Sequence, residues 1–320
     1  MKYLKKVTSI FCINLRSLNK PRTMKHTIFL VLLSVVLAGC NSSKKKTEAA
    51  SGGETFPGFV LTEMWSTDTV LLTCESVLYD EIRNQLFVSC MNGSSGEKDG
   101  DGYISVLAPD GSVKSLHWVK GLNDPKGMGI IGNRLFVADL DELVVIDVEQ
   151  GEISERIAVE GASFINDVAI SSDGEVYFSD SNTGIVWVLS NGELTEWISE
   201  GLERPNGLCV EEERILLASS GSQDLKVIDR STGTVEVVTT GIGAGDGLEF
   251  TGIEGYYLTS SWNGEVFLIR PDYSKVSLLK TSDRGINSAD IGFNEQDQVL
   301  YVPTFFDNRV VAYRLEKSRD

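Results

Sequence analysis

The sequence predicts an all-β protein, a six-bladed β-propeller with four-stranded antiparallel blades, and two observations lead to this prediction. An apolar triplet that suits the centre of a buried strand occurs six times, at residues 86–88, 135–137, 176–178, 215–217, 256–258 and 300–302. The steps between triplets are 49, 41, 39, 41 and 44 residues, and a period near forty is typical of propeller blades. Long helical periodicity is absent from the whole sequence.

The repeating unit is clearest in residues 164–202. Its four runs of β-branched and aromatic residues lie at 167–170, 175–179, 185–189 and 194–198. Ser-Asp-Gly, Ser-Asn-Thr-Gly and Asn-Gly sequences separate them, and Asp-Gly and Asn-Gly favour hairpin turns because glycine tolerates a positive φ. One such four-stranded meander is too small to bury its own faces, so the copies must stack.

The sixth unit stops near Leu315, about one strand short. Residues 59–66, just before the first unit, have the composition of the missing strand. Pairing the first strand of the chain with the last one closes the ring and removes two open sheet edges.

The chain begins with targeting sequences. Residues 24–40 have a basic start and an apolar run too short for a comfortable membrane span, which ends in Leu-Ala-Gly-Cys40. This ending resembles the bacterial lipobox, in which the cysteine after the cleavage site carries diacylglycerol. We predict lipidation of Cys40 and a true start at Met24, with an ordinary signal peptide or an anchor helix as the alternative.

These features divide the chain into a leader with signal peptide (1–39), a lipidated cysteine with a flexible tether (40–55) and the propeller (56–320). The predicted location is the bacterial cell envelope, with a lipid anchor in the membrane. By resemblance to sorting in some Gram-negative bacteria, Asn41 favours the outer membrane, and we expect the protein to face the periplasm.

Charge excludes one class of partner. The formal net charge of the whole chain is −17. Residues 1–39 hold seven Lys and Arg and no acidic residue, so residues 40–320 carry 22 basic and 46 acidic residues, net −24. Such a surface repels nucleic acid. No obligate protein partner is predicted.

Histidine and cysteine are too few for the common catalytic relays. After Cys40 there is one histidine, His117, and the cysteines are the scattered Cys74, Cys90 and Cys209, which do not form a zinc site or a nucleophile relay. Cys74 and Cys90 are nearly equidistant from a predicted turn at 80–84, so they face each other either as a disulfide or as two buried thiols. Chemistry therefore rests on carboxylates, amides and a hard cation.

Aligning the starts of the six inner strands brings polar residues to one position of the repeat. Inner strands run along the channel of a propeller, so these side chains are predicted to meet at one mouth. Carboxylate and amide oxygens suit Ca²⁺, and the alternative is that they are only polar turn residues wetted by the channel. The position is occupied by Glu75, Lys126, Asn166, Asn206, Asp246 and either Ala289 or Asp290.

Four short motifs resemble those of the regucalcin/gluconolactonase family of six-bladed propellers. Residues 74–81 are similar to its Glu-Gly-Pro-x-Trp-Asp opening, 166–174 to its Asn-Asp segment, 204–208 to its Pro-Asn-Gly motif and 245–248 to its Pro-Asp-Gly motif. The resemblance implies Glu75, Asn206 and Asp246 as ligands of a divalent cation, with Asn166 at the metal or substrate site. Ser-Val replaces Gly-Pro at 76–77, Gly245 replaces proline, and the family's substrate-binding arginine is not evident.

The activity that the resemblance implies is divalent-metal-dependent hydrolysis of a lactone, such as a sugar lactone, or of a related cyclic ester. The expected cofactor is one Ca²⁺, with Zn²⁺ or Mn²⁺ as alternatives. Asp246 is the expected catalytic base, and Asn166, Lys126 and Asp290 are the expected substrate contacts. The alternative is a non-catalytic propeller lipoprotein that binds a ligand or a partner.

Two further features border the predicted mouth. The first blade has a long insertion at 92–102 that is placed to cover the channel. Trp262 follows the second strand of the fifth unit, and it is expected either to pack between blades or to line the pocket.

Overall fold

The computed structural model of the protein describes residues 56–318, in which 24 strands form six four-stranded antiparallel sheets. The first three blades consist of β2 (Cys74–Asp80), β3 (Gln85–Cys90), β4 (Gly102–Leu107) and β5 (Val113–Leu122); β6 (Pro125–Ile131), β7 (Arg134–Asp139), β8 (Glu142–Asp147) and β9 (Glu152–Ala158); and β10 (Ile165–Ile170), β11 (Val176–Asp180), β12 (Ile185–Ser190) and β13 (Glu193–Ile198).

The other three blades follow the same order from the channel outwards. They consist of β14 (Pro205–Val210), β15 (Arg214–Ser219), β16 (Asp224–Asp229) and β17 (Val235–Thr240); β18 (Gly245–Phe250), β19 (Tyr257–Ser261), β20 (Glu265–Ile269) and β21 (Lys275–Lys280); and β22 (Gly292–Asn294), β23 (Val299–Pro303), β24 (Val310–Lys317) and β1 (Phe59–Ser66). A single turn of 3₁₀ helix, Ser282–Arg284, precedes β22.

The predicted fold class is confirmed, and so is the closing strand. β1 pairs antiparallel with β24, from Phe59 opposite Lys317 to Ser66 opposite Val311. The four predicted strands of the third blade agree with the observed ones within two residues. The leader, the start at Met24, the lipidated Cys40 and the tether lie outside the described residues and stay predictions. Within residues 56–318 no helix is long and apolar enough to cross a membrane.

The core lies between neighbouring blades. Both faces of each second strand are covered, because one face packs on each neighbour, and this explains why the triplets are continuously apolar rather than alternating. Leu86 and Val88 of β3 pack towards the sixth blade, whereas Phe87 between them packs towards the second. Cys74 and Cys90 are opposite each other in the β2–β3 ladder, as expected, and both are buried free thiols.

Every inner strand of the first five blades has a bulge just after its first residue. In the second blade Pro125 pairs with Asp139 and pairing resumes at Met128 opposite Val137, so two residues of β6 oppose one residue of β7. The third, fourth and fifth blades repeat this register shift. A bulge bends a strand and redirects its side chains, and here it determines which side chains reach the channel.

Candidate functional site

A cavity of about 400 Å³ opens where the inner strands begin, and we call it the mouth cavity. Five of the predicted residues line it together, and each is at least nine-tenths buried: Glu75, Lys126, Asn166, Asn206 and Asp246. We call these five the ring residues. Each is the second residue of its strand, which places all five within the bulges. The predicted convergence of residues that are distant in sequence is therefore present in the structure.

The sixth blade does not add a carboxylate to the ring. Asp290 lies one residue deeper in the channel, where its Oδ2 accepts a 2.5 Å hydrogen bond from the Ser76 hydroxyl. It lines a second cavity of about 380 Å³ together with Asp167 and Glu249, and it does not line the mouth cavity. The structure thus places the expected substrate contact Asp290 away from the mouth, because Asp290 is bridged to Ser76, the residue that follows Glu75, and therefore lies one position below the ring level.

Asp246 and Asn206 form one side of the ring. The Asn206 amide donates a 2.8 Å hydrogen bond from Nδ2 to Oδ1 of Asp246. Burial raises the pKa of Asp246 to about 7, although this hydrogen bond and the ammonium of Lys126 both lower it. The carboxyl group of Asp246 is therefore harder to ionise than that of an exposed aspartate.

Glu75 is the least satisfied group of the ring. Its Oε2 atom is buried and has no hydrogen-bond partner among the described residues. Burial raises the pKa of Glu75 well above its ordinary value, Lys126 lowers it, and the carboxylates of Asp246, Asp124 and Asp167 raise it further. A buried carboxylate without partners is costly, and a cation at the mouth would compensate it.

Two amide oxygens complete the set of oxygen ligands. The Nδ2 atom of Asn166 donates a 3.0 Å hydrogen bond to the Ser181 hydroxyl, which in turn donates to the carbonyl of Pro205 at 2.6 Å. This chain fixes the orientation of the amide. The Oδ1 atoms of Asn166 and Asn206 have no hydrogen-bond donor within residues 56–318, so both remain acceptors for a ligand.

Lys126 brings a positive charge into the ring. Its Nζ atom lies 3.3 Å from Oδ1 of Asp124 and 4.6 Å from the ring centroid of Phe164, a distance at which an ammonium is attracted to an aromatic face. The insertion of the first blade supports this pair, because Ser95 donates to Oδ2 of Asp124 at 3.1 Å and also lines the mouth cavity. Of the insertion that is expected to cover the channel, Ser95 lines the mouth cavity.

The chemistry of the ring fits a hard cation better than a soft one. No group of three or more His, Cys, Asp or Glu side chains in the described part of the chain is placed to hold a metal ion. A cation at the mouth would therefore depend on two carboxylates and two amide oxygens, which are the ligand types of Ca²⁺. Zn²⁺ prefers nitrogen and sulfur ligands, and the residues that line the mouth cavity include neither His nor Cys.

Sequence reasoning missed most of the apolar lining. Phe164, Phe305 and Phe306 line the mouth cavity together with Trp262, so of the two expectations for Trp262 the pocket-lining one holds. Phe305 and Phe306 lie in a loop between strands, where position relative to the triplets predicts nothing, and Phe164 directly precedes β10. Their only signal in the sequence is that large apolar residues occur in loops, as with Phe305-Phe306 between β23 and β24.

Comparison with solved structures gives proteins of similar fold. A catalytically inactive histidine-to-alanine variant of virginiamycin B lyase from Staphylococcus aureus with quinupristin has a TM-score of 0.58 at 12% identity, over 80% of this chain and 99% of that chain. A streptogramin B lyase has a TM-score of 0.59 at 12% identity, over 81% of this chain and 98% of that chain. No family model and no curated protein matches the sequence. The comparison shows the propeller fold alone.

Proposed function

We propose that the mouth cavity binds one divalent cation and hydrolyses a lactone or a related cyclic ester. The observation that carries this proposal is the convergence of two buried carboxyl groups, one of which has an oxygen without a hydrogen-bond partner, and two acceptor amides on one channel mouth. The proposed ligands are Glu75, Asn166, Asn206 and Asp246, and the proposed cation is Ca²⁺. The motifs shared with the regucalcin/gluconolactonase family support the same four residues.

Three of the ring residues have different proposed roles in the reaction. When bound, a divalent cation supplies Lewis acidity towards the ester carbonyl and the attacking water. Asp246 accepts the proton of that water, because its carboxyl group is buried beside Asn206 and held in a fixed orientation. Lys126 and Asn166 orient the ester through hydrogen bonds, and the apolar lining excludes bulk water.

Lyase chemistry that depends on a histidine is not supported. The one histidine after the leader, His117, lies in β5, the outermost strand of its blade. Its ring packs against Tyr103, with the centroids 4.4 Å apart, and it does not line the mouth cavity. The activity named for the similar structures is therefore not transferred to this chain.

The alternative is a non-catalytic propeller that binds a ligand or a partner at the same mouth. Lys126 favours it, because an ammonium among the ring residues reduces the affinity of the ring for a cation. Calcium binding without turnover of any lactone would support this alternative.

The proposal is tested by cation titration and turnover of the same protein. We expect calorimetry to show one Ca²⁺ site, and Glu75→Gln and Asp246→Asn to weaken it at least about tenfold, since each removes one charged ligand. The matched control is Glu249→Gln, which removes a carboxylate from the second cavity instead.

Turnover is measured with sugar, alkyl and aryl lactones in the presence of Ca²⁺, Zn²⁺ or Mn²⁺. Hydrolysis that a chelator abolishes and Asp246→Asn reduces at least about a hundredfold is the expected result. The proposal falls if no combination is hydrolysed, or if hydrolysis survives both the chelator and the substitution.

A further inference from the structure

Three aromatic side chains form one side of the mouth cavity, and we call Trp262, Phe305 and Phe306 the aromatic wall. Their rings meet edge to face, with centroids 4.7 Å apart for Phe305 and Phe306, 5.6 Å for Trp262 and Phe305, and 6.1 Å for Trp262 and Phe306. Phe306 is 64% exposed and Trp262 is 36% exposed. Phe305 is buried and supports them. Two neighbouring exposed aromatic side chains at the rim of a polar cavity are typical of a binding surface.

The backbone holds the wall in place at a conformational cost. Phe305 has a φ of 52°, the left-handed region that a bulky side chain disfavours. A set of hydrogen bonds maintains it: the Thr304 N–H and hydroxyl both donate to the carbonyl of Arg309, at 2.9 and 2.8 Å, and Asn308 N–H donates to the carbonyl of Phe305 at 3.0 Å. Retained strain of this kind is concentrated at functional sites, and here it keeps Phe305 and Phe306 on the mouth.

The wall and the ring residues differ in what they offer a ligand. The ring residues present carboxylates, amides and an ammonium, whereas the aromatic wall presents ring faces and edges. A sugar lactone could stack a C–H face of its ring on the wall, but an alkyl or aryl arm offers the wall a larger apolar surface and carries no hydroxyl group that would lose hydrogen bonds to water. An ester whose polar end contacts the ring residues and whose apolar end contacts the aromatic wall would be complementary to both surfaces.

We propose that the aromatic wall is a subsite for an apolar arm, an alkyl or aryl substituent carried by the ester. The substrate class is then lactones with a hydrophobic substituent rather than sugar lactones. That the ligand is an ester rests on the proposed function, whereas the binding of an apolar arm depends on the aromatic wall alone.

The test uses two lactams as probes, because an amide analogue binds without being consumed. δ-Valerolactam has no side arm, and δ-decanolactam carries a pentyl arm on the same ring. Calorimetry with the full-length protein is expected to show that δ-decanolactam binds at least about tenfold more tightly, as expected for burial of an alkyl arm. Phe306→Ser should lower this ratio of affinities about tenfold.

Ile82→Ser is the matched control. Ile82 is 77% exposed and lies between β2 and β3, at the other end of the inner strand from Glu75, so its substitution should leave the ratio unchanged. Because Phe306 is largely exposed, Phe306→Ser should retain the thermal midpoint of the native protein.

Each outcome of the binding test supports or contradicts the inference, whether or not the proposed function is correct. Equal affinity for the two lactams, failure of both to bind, or a ratio unchanged in Phe306→Ser would overturn the inference, even if a sugar lactone is hydrolysed. A ratio that behaves as expected supports it, even if no lactone is turned over with any cation and the proposed function fails.

Discussion

Lys126 is the residue on which the electrostatics of the mouth depend. It interacts with two buried carboxyl groups, because it forms an ion pair with the fully buried Asp124 and lowers the pKa of the buried Glu75. Water is largely excluded here, so each charge depends on its protein partners rather than on solvent. Removal of the ammonium leaves both acids uncompensated.

We expect Lys126→Met to lower the free energy of unfolding by about 3–5 kcal/mol, the usual cost of leaving one partner of a buried ion pair alone. Urea denaturation measures the change. Asp124→Asn in the same chain should recover part of the loss, and the double-mutant cycle gives the coupling energy. Additive effects of the two substitutions would show that the pair does not interact.

At the residue scale, the sequence predicts some positions of the ring and not others. Glu75, Asn166, Asn206 and Asp246 could be found because each lies nine to eleven residues before the apolar triplet of its unit, at the start of an inner strand. The choice between Ala289 and Asp290 could not be made, because side chains alternate along a strand and one bulged residue reverses the alternation. Phe305 and Phe306 lie outside the repeat altogether.

At the element scale, the bulged inner strands need small residues next to the ring. Glycine follows the ring residue in the second, fourth and fifth blades, at positions 127, 207 and 247. A Cβ atom at Gly127 would lie 2.4 Å from Oδ1 of Asp167, and one at Gly247 would lie 2.4 Å from the backbone N of Ile291 and 2.6 Å from Oδ1 of Asp290. These glycines therefore make room for the carboxylates and backbone of the neighbouring blade.

Gly247→Ala is expected to destabilise the protein by about 1–3 kcal/mol, because the new methyl group meets backbone that cannot move freely. The control is Gly93→Ala, where the nearest atom to the new Cβ would be 3.8 Å away. Thermal unfolding of both variants checks the prediction, and equal midpoints would contradict it. The strands could be predicted from hairpin turns and periodicity, but the bulges could not, because they depend on the approach of a neighbouring blade.

At the scale of the whole molecule, one N-terminal strand closes the circle of six blades. β1 extends the sheet of β22, β23 and β24, and it also packs on the fifth blade, where Phe59 lies 5.4 Å from Tyr256 between ring centroids. The same closure brings Glu75 of the first blade and Asp246 of the fifth to one cavity. The stability of the closed propeller and the assembly of the mouth cavity are therefore coupled.

A chain that begins at residue 67 is expected to be less stable than one that begins at residue 56, which keeps β1. The loss should reach at least about 3 kcal/mol, since burial of Phe59 alone contributes that much, and the exposed edge of β24 should promote aggregation. Chemical denaturation and size-exclusion chromatography compare the two chains. Addition of a synthetic peptide spanning residues 56–66 should restore the unfolding midpoint by pairing with β24. Equal midpoints and monodisperse behaviour of both chains would show that closure of the ring by β1 does not stabilise the fold.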